Sequence, residues 1–179
     1  MAHRIGVFLD RDGTLTRPYH HPTRPEHLVP SDGIVEPLRR LASAEVALVI
    51  VTNQSALARG LLTDAGFAAA QSSFERKLAE VGLHFDGVYH CPHHPDGVVA
   101  SLAVRCGCRK PEPGLLVRAA ADHGIDLTRS WMVGDQLSDV EAGRRAGCRT
   151  VLVGQSGHAV TTAEALWTIA GEVTVDARG

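Results

Sequence analysis

The chain has 179 residues, of which 44% are hydrophobic, enough to form a substantial core and too many for a disordered chain. Its 18 basic and 20 acidic side chains leave a formal net charge of −2, which argues against nucleic acid or a membrane surface as the main partner. The longest apolar run, Val46–Val51, is too short to span a bilayer, and the apolar run before Asp10 is too short for a secretory signal. We therefore expect one domain over residues 1–179, monomeric and cytoplasmic.

Short apolar segments alternate with helical patterns along the chain. We predict, in order, a strand at Arg4–Leu9, a loop over 16–32, a helix over 33–44, a strand at Val46–Val51, a helix over 63–81, a short strand at Val88–His90, a long loop over 91–112, a helix from Pro113 to about His123, a strand at Trp131–Val133, a helix over about 139–146 and a strand at Thr150–Val153. The last 25 residues weakly repeat a helix and then a strand. This alternation predicts an α/β fold: a Rossmann-like parallel sheet with helices on both faces.

Polar side chains follow the predicted strands at the point where each strand ends. Asp10 and Asp12 follow the first strand, Thr52 the second and Asp135 the fourth, while Lys110 ends the long loop. The carboxyl ends of parallel strands meet at one edge of a sheet, so we expect these groups to converge there. Carboxylate oxygens suit Mg²⁺, and a hydroxyl and an ammonium beside the metal would suit a phosphoryl group.

The string FLDRDGTL at Phe8–Leu15 resembles the first motif of the haloacid-dehalogenase-like phosphohydrolases, and Thr52, Lys110 and Gly134-Asp135 match the later motifs in order. The likeness extends from Val7 to about Val153. Within that superfamily the chain resembles the branch of heptose bisphosphate phosphatases and histidinol phosphatases. This finer likeness is carried by TNQS (52–55), CPHHP (91–95), CGCRKPEPG (106–114) and MVGD (132–135).

The resemblance implies a role for each matching residue. Asp10 would attack phosphorus and form an aspartyl-phosphate, and Asp12 would act as general acid and then general base. Mg²⁺ would be held by Asp10, the backbone carbonyl of Asp12 and Asp135. Thr52 and Lys110 would stabilise the phosphoryl oxygens.

Substrate contacts are expected from three segments. By resemblance these are Arg109, the residues Asn53, Gln54 and Ser55, and the loop residues Pro18, Tyr19, His20 and His21. Only one predicted helix lies between Thr14 and Thr52, so we expect no cap domain. Asp139 either orients Lys110 or the metal ligands, or caps a helix.

Four residues of the long loop have the chemistry of a structural zinc site. Cys91, His93, Cys106 and Cys108 offer three sulfurs and one nitrogen, which suits closed tetrahedral Zn²⁺. The alternative is a set of reduced thiols or one labile disulfide. The family pattern favours His93 over His94, and the zinc loop of about 91–108 would position the residues that follow it. We expect Cys148 in the core.

Several functions remain open at this point. The span of twelve residues between the zinc-ligand pairs and the segment RKPEPG favour a phosphatase for the 7-phosphate of D-glycero-D-manno-heptose 1,7-bisphosphate over a histidinol-phosphate phosphatase. A signalling receiver domain would share Asp, Thr and Lys at strand ends but would lack the second carboxylate, Asp12. A zinc-stabilised nucleic-acid module is disfavoured by the charge and by the small number of aromatic side chains.

Overall fold

A computed structural model describes residues 4–154 and 160–176. Its centre is a parallel sheet of five strands in the order β3-β2-β1-β4-β5. The strands are β1 (Gly6–Leu9), β2 (Ala47–Asn53), β3 (Gly87–Cys91), β4 (Trp131–Gly134) and β5 (Arg149–Leu152). The predicted Rossmann-like parallel sheet is therefore confirmed.

The described residues form six α-helices around the sheet. They are α1 (Val35–Ser43), α2 (Ser55–Ala58), α3 (Asp64–Ala79), α4 (Gly114–His123), α5 (Leu137–Ala146) and α6 (Thr162–Asp176). Apolar residues of α1, α3 and α6 form one buried cluster on one face of the sheet, and those of α4 and α5 form a second cluster on the other face. Helices therefore cover both faces, as the sequence predicts.

The central strands β1 and β4 are apolar along their whole length because both of their faces are buried. In β1, Val7 and Leu9 pack into one cluster while Phe8 packs into the other. In β4, Met132 packs into the same cluster as Phe8, and the next residue, Val133, packs into the same cluster as Leu9. Successive side chains of a strand point to opposite faces, so a strand covered on both sides has no polar positions to alternate with.

The prediction of a strand after the last helix is wrong. Residues 162–176 form one continuous helix, and β5 is the last strand among the described residues. The β-branched residues near the end of this segment favour a strand, but Leu166, Ile169 and Val173 recur at helical spacing and are buried in the first cluster. Tertiary packing of this apolar face therefore outweighs local strand preference.

The segment between β1 and β2 contains α1 and one 3-10 turn at Pro25–His27, and it forms no additional folded layer over the strand ends. This confirms the capless arrangement predicted from the short spacing. Within the described ranges, none of the helices combines the length and the apolar character required to cross a bilayer.

Candidate active site

The candidate site lies where the central strand β1 ends between its two neighbours. Asp10 follows β1, Thr52 lies near the end of β2, and Asp135 follows β4. The backbone N–H of Asp10 donates to the carbonyl of Val133 at 2.9 Å, which joins the two strand ends. A cavity of about 180 Å³ opens at this edge and is lined by Asp10, Asp12, Thr52, Asn53, Lys110, Gln136, Ser138 and Asp139.

Lys110 is buried at the centre of the site between two carboxylates. Its Nζ lies 2.6 Å from Oδ1 of Asp10 and 2.6 Å from Oδ1 of Asp139, and it donates to the carbonyl of Val51 at 2.8 Å. Burial opposes the charge of Lys110, but the two carboxylates outweigh burial and raise its pKa. The ammonium is therefore charged and fixed in place.

Three carboxylates are gathered around this ammonium. One oxygen each of Asp10, Asp135 and Asp139 lies within 4.8 Å of the others. With Lys110 charged, the four groups leave two uncompensated negative charges when all three carboxylates are ionised. Burial raises the pKa of Asp10 to about 7 in this cluster, against the opposing charge of Lys110. An oxygen-only site with this charge fits Mg²⁺.

The geometry distinguishes the two expectations for Asp139. It is the third residue of α5, and its Oδ2 accepts a hydrogen bond from the backbone N–H of Gln136 at 3.0 Å. Its Oδ1 forms an ion pair with Nζ of Lys110 at 2.6 Å. Asp139 therefore orients Lys110 and also braces the start of α5 from within the helix, rather than from the N-cap position. Asp10 and Asp135 remain the carboxylates that are predicted to bind a metal.

Gly13 allows the chain to turn closely past this edge of the sheet. Its φ of +87° lies in the left-handed region, which strains any residue with a Cβ. A Cβ at this position would also overlap the carboxylate of Asp135. The glycine is therefore required both for the turn and for the space that Asp135 occupies.

Asp12 lines the same cavity, but its carboxylate is not part of the three-carboxylate group. Both of its oxygens accept from the guanidinium of Arg11, at 2.8 and 2.9 Å. The amide nitrogen of Gln54 donates to Asp12 at 2.8 Å and to Thr52 at 2.9 Å. Gln54, predicted to contact substrate, is thus buried beneath two predicted catalytic residues.

Asn53, also predicted as a substrate contact, is bonded to the backbone of Lys110. Its side-chain nitrogen donates to the carbonyl of Lys110, and its oxygen accepts from the N–H of Lys110, both at 3.0 Å. Ser55, the third residue of this predicted set, begins α2. Asn53, at the end of β2, therefore holds the backbone of Lys110 in place and also lines the cavity.

The predicted substrate loop Pro18–His21 begins two residues after Thr16, which forms an isolated parallel bridge with Asp12. Its residues are mostly exposed, and Tyr19 stacks on His27 with ring centroids 3.9 Å apart. Burial lowers the pKa of His21, which lies close enough to Asp12 for the two charges to interact. The structure thus places His21 near the site, while the ring of Tyr19 is engaged by His27.

The four predicted zinc ligands form a compact cluster. The Sγ atoms of Cys91, Cys106 and Cys108 are 3.1 to 3.5 Å apart. Nδ1 of His93 lies 3.4 Å from the sulfur of Cys108 and 3.6 Å from that of Cys91. A tetrahedron with Zn–S bonds of about 2.3 Å has edges of about 3.8 Å, so these ligand atoms are close to a zinc geometry.

The neighbouring residues agree with this assignment. All four cysteines are free, so no disulfide competes for the sulfurs. Nδ1 of His94 instead accepts from the backbone N–H of Asp96 at 3.1 Å, which supports His93 as the ligand. Cys148 is buried in the second apolar cluster, as predicted.

The predicted zinc loop leads directly into this edge of the sheet. Arg109 follows Cys108 and donates to the carbonyl of His93 at 3.2 Å, and Lys110 comes next. The N–H of Gly114, at the start of α4, donates to the carbonyl of Gly107 at 3.0 Å. Arg109 also lines a larger cavity of about 760 Å³ beside the loop. A fixed zinc loop would therefore fix both basic residues.

Comparison with known proteins decides the family. Over 155 residues, 87% of this chain and 82% of the relative, the chain is 40% identical to a D-glycero-β-D-manno-heptose-1,7-bisphosphate 7-phosphatase of Yersinia pestis. The Escherichia coli K12 enzyme of the same name is 39% identical, with 87% and 81% covered. The chain belongs to the HAD-like phosphatase family. A family model described as HAD-hydrolase-like also matches residues 107–176.

Solved structures of HAD-like phosphatases share this fold. A D,D-heptose 1,7-bisphosphate phosphatase of B. bronchiseptica, complexed with magnesium and phosphate, superposes with a TM-score of 0.81 at 32% identity, covering 94% of this chain and 99% of that one. A HAD-like phosphatase of Mesorhizobium loti gives a TM-score of 0.86 at 32% identity, covering 96% and 88%. The protein is thus a phosphoric monoester hydrolase, and the arrangement around Asp10 is the part of it suited to phosphoryl transfer.

Proposed function

We propose that the protein is a Mg²⁺-dependent phosphatase that removes the 7-phosphate of D-glycero-D-manno-heptose 1,7-bisphosphate. The observation that carries the proposal is the group of Asp10, Asp135 and Lys110 at the end of the central strands. Together with Asp139 these groups leave two uncompensated negative charges when all three carboxylates are ionised, and such a site would accept a divalent cation and then a phosphoryl group. The choice of the heptose bisphosphate rests on the names of the relatives, whose similarity extends over most of this chain.

The first half-reaction transfers the phosphoryl group to the enzyme. A carboxylate oxygen of Asp10 attacks phosphorus, and the bond from phosphorus to the C7 oxygen breaks. Asp12 gives a proton to the departing oxygen, so that the sugar leaves as an alcohol. Lys110 and Thr52 stabilise the charge on the phosphoryl oxygens. Bound magnesium would supply further neutralisation of that charge, held by Asp10, Asp135 and the backbone carbonyl of Asp12.

The second half-reaction releases phosphate. Water attacks the phosphorus of the aspartyl-phosphate and passes a proton to Asp12, and the carboxylate of Asp10 is regenerated together with inorganic phosphate. The open edge of the sheet admits water and small substrates alike. Arg109, His20 and His21 would contact the part of the sugar that lies outside the cavity.

Phosphate release from both anomers of the heptose bisphosphate, with histidinol phosphate in parallel, tests the substrate. We expect turnover of the heptose with the 1-phosphate retained, as ³¹P NMR of the product would show. Faster release from histidinol phosphate would overturn the choice of substrate.

Asp10→Asn should lower kcat by at least about 10³-fold with little change in folding, because the side chains are nearly isosteric. Asp122→Asn, on the surface of α4, is the matched control and should retain full activity.

We further propose that the enzyme acts as a monomer in the cytoplasm. Four unpaired cysteines, three of them in the proposed zinc site, suit a reducing compartment. Light scattering of the purified protein across a tenfold concentration range tests the monomer, and a mass of twice the 19.1 kDa of the chain would contradict it.

A further inference from the structure

Arg11, which lies between the two predicted catalytic aspartates, is buried although arginine is usually a surface residue. Its side chain is 1% exposed, whereas that of Asp12 is 23% exposed. Nε of Arg11 donates to Oδ1 of Asp12 at 2.8 Å, and Nη2 donates to Oδ2 at 2.9 Å. This paired contact fixes the plane of the carboxylate as well as its position.

Helix α3 holds the guanidinium from the other side. Nη1 of Arg11 donates to Oε1 of Gln71 at 3.1 Å, and the ring of Phe67 lies 5.5 Å from the guanidinium carbon. Gln71 is itself fixed, since its nitrogen donates to Glu75 at 2.9 Å. Arg11 is therefore braced by a rigid helix outside the catalytic edge.

The hydrogen bonds of Asp12 leave one acceptor position open. A carboxylate has about four lone-pair positions. Arg11 fills one on each oxygen, and Gln54 fills the second on Oδ2. The remaining position belongs to Oδ1, on a side chain that lines the cavity with Asp10 and Lys110.

We propose that Arg11 is a positioning residue that, braced by Gln71 and Phe67, presents Oδ1 of Asp12 to the leaving group of the substrate. The inference rests on the proposed role of Asp12 as the proton donor. Arg11 itself touches neither phosphate nor metal in this role. A lysine in its place keeps the charge but cannot make the paired contact, so it separates positioning from charge.

Two aryl phosphates of similar shape provide the test. Phenol is about as weak an acid as a tyrosine side chain and benefits from a proton as it leaves, whereas the more acidic p-nitrophenol does not need one. For each substrate kcat/KM reports the step in which the leaving group departs. We would measure the ratio of kcat/KM for phenyl phosphate to that for p-nitrophenyl phosphate, together with kcat/KM for the heptose bisphosphate.

Arg11→Lys should lower this ratio by about 10- to 100-fold, because a displaced proton donor affects only the poor leaving group. Gln71→Leu, which removes the brace and leaves Arg11 in place, should lower the ratio in the same direction by a smaller factor. It carries the test if Arg11→Lys does not fold. Arg149→Lys is the matched control, since Arg149 pairs with Glu172 at 2.8 Å and covers Trp131 at the far edge of the sheet.

Asp12→Asn separates the inference from the function on which it depends. If Asp12→Asn lowers the ratio but Arg11→Lys and Gln71→Leu lower both rates equally, Arg11 is only structural and the inference is wrong. If Asp12→Asn leaves the ratio unchanged, Asp12 is not the proton donor, and the proposed mechanism and the inference fail together. A fall in the ratio for all three variants, with similar thermal midpoints, supports the inference.

Discussion

The side-chain amide of Asn53 pairs with both backbone groups of Lys110, across 57 positions of sequence. Each bond is 3.0 Å long, and together they join the end of β2 to the loop that leaves the zinc cluster. The ammonium of Lys110 also reaches the carbonyl of Val51, two residues before Asn53. The lysine is therefore held to one strand by its backbone and by its side chain.

Replacing Asn53 with alanine should weaken this attachment. It leaves the buried N–H and carbonyl of Lys110 without partners, at a cost of about 1–3 kcal/mol in the free energy of unfolding. We expect kcat to fall by about tenfold because the ammonium loses its fixed position. Urea unfolding and phosphate release measure the two effects. Loss of stability with unchanged kcat would show that the ammonium is positioned without Asn53.

The buried triad of Asp10, Lys110 and Asp139 predicts how the metal requirement responds to a lost charge. Asp139→Asn preserves shape but removes one of the two uncompensated negative charges in the cluster. We expect the magnesium concentration at half-maximal activity to rise by about tenfold, since the cation then meets a less negative site. Titration of activity with magnesium measures this. Asp122→Asn is the control, and an equal magnesium requirement in both variants would contradict the electrostatic explanation.

Much of this site can be predicted from sequence, because strand ends follow from apolar runs. Each of these runs ends next to a site residue: Asp10 and Asp135 directly follow β1 and β4, and Thr52 lies near the end of β2. Parallel pairing of the strands brings the three residues together. The zinc ligands are similarly visible, since cysteines so closely spaced have few other uses. Residue type and local spacing carry the information in both cases.

The positioning contacts are not visible in the same way. Arg11 is a residue type that normally lies on the surface, and its partner Gln71 is 60 positions away. Asn53 lies in a motif that suggests substrate binding, yet its bonds run to a backbone segment that only the folded loop brings near. Contacts of this kind depend on tertiary placement and leave no periodic pattern in the chain.

Gly13 and Gly124 form a matched pair for testing the space beside Asp135. Both have positive φ, +87° and +63°, so alanine is strained at either position. A Cβ on Gly13 would overlap the Asp135 carboxylate, whereas one on Gly124 meets nothing within 4 Å. We expect both alanine variants to lose some thermal stability, but only Gly13→Ala to lose magnesium-dependent activity, by about 100-fold. Similar activities in the two variants would mean that Asp135 can move without consequence.

Removal of zinc should affect stability and catalysis through the loop that ends at Lys110. Structural zinc sites contribute directly to folding, so we expect a chelator selective for zinc to lower the thermal midpoint by about 10 °C or more. Chelating magnesium alone should lower it much less, because that site is formed by strand ends that the sheet already holds. Activity lost with zinc should return on adding zinc and not on adding magnesium, since Arg109 and Lys110 follow the last ligand directly.

Cys106→Ser should reproduce the effect of the chelator, whereas Cys148→Ser, which changes a core cysteine outside the cluster, should leave the zinc content at one per chain. Equal shifts of the midpoint for the two metals would show that the four ligands do not hold a structural ion.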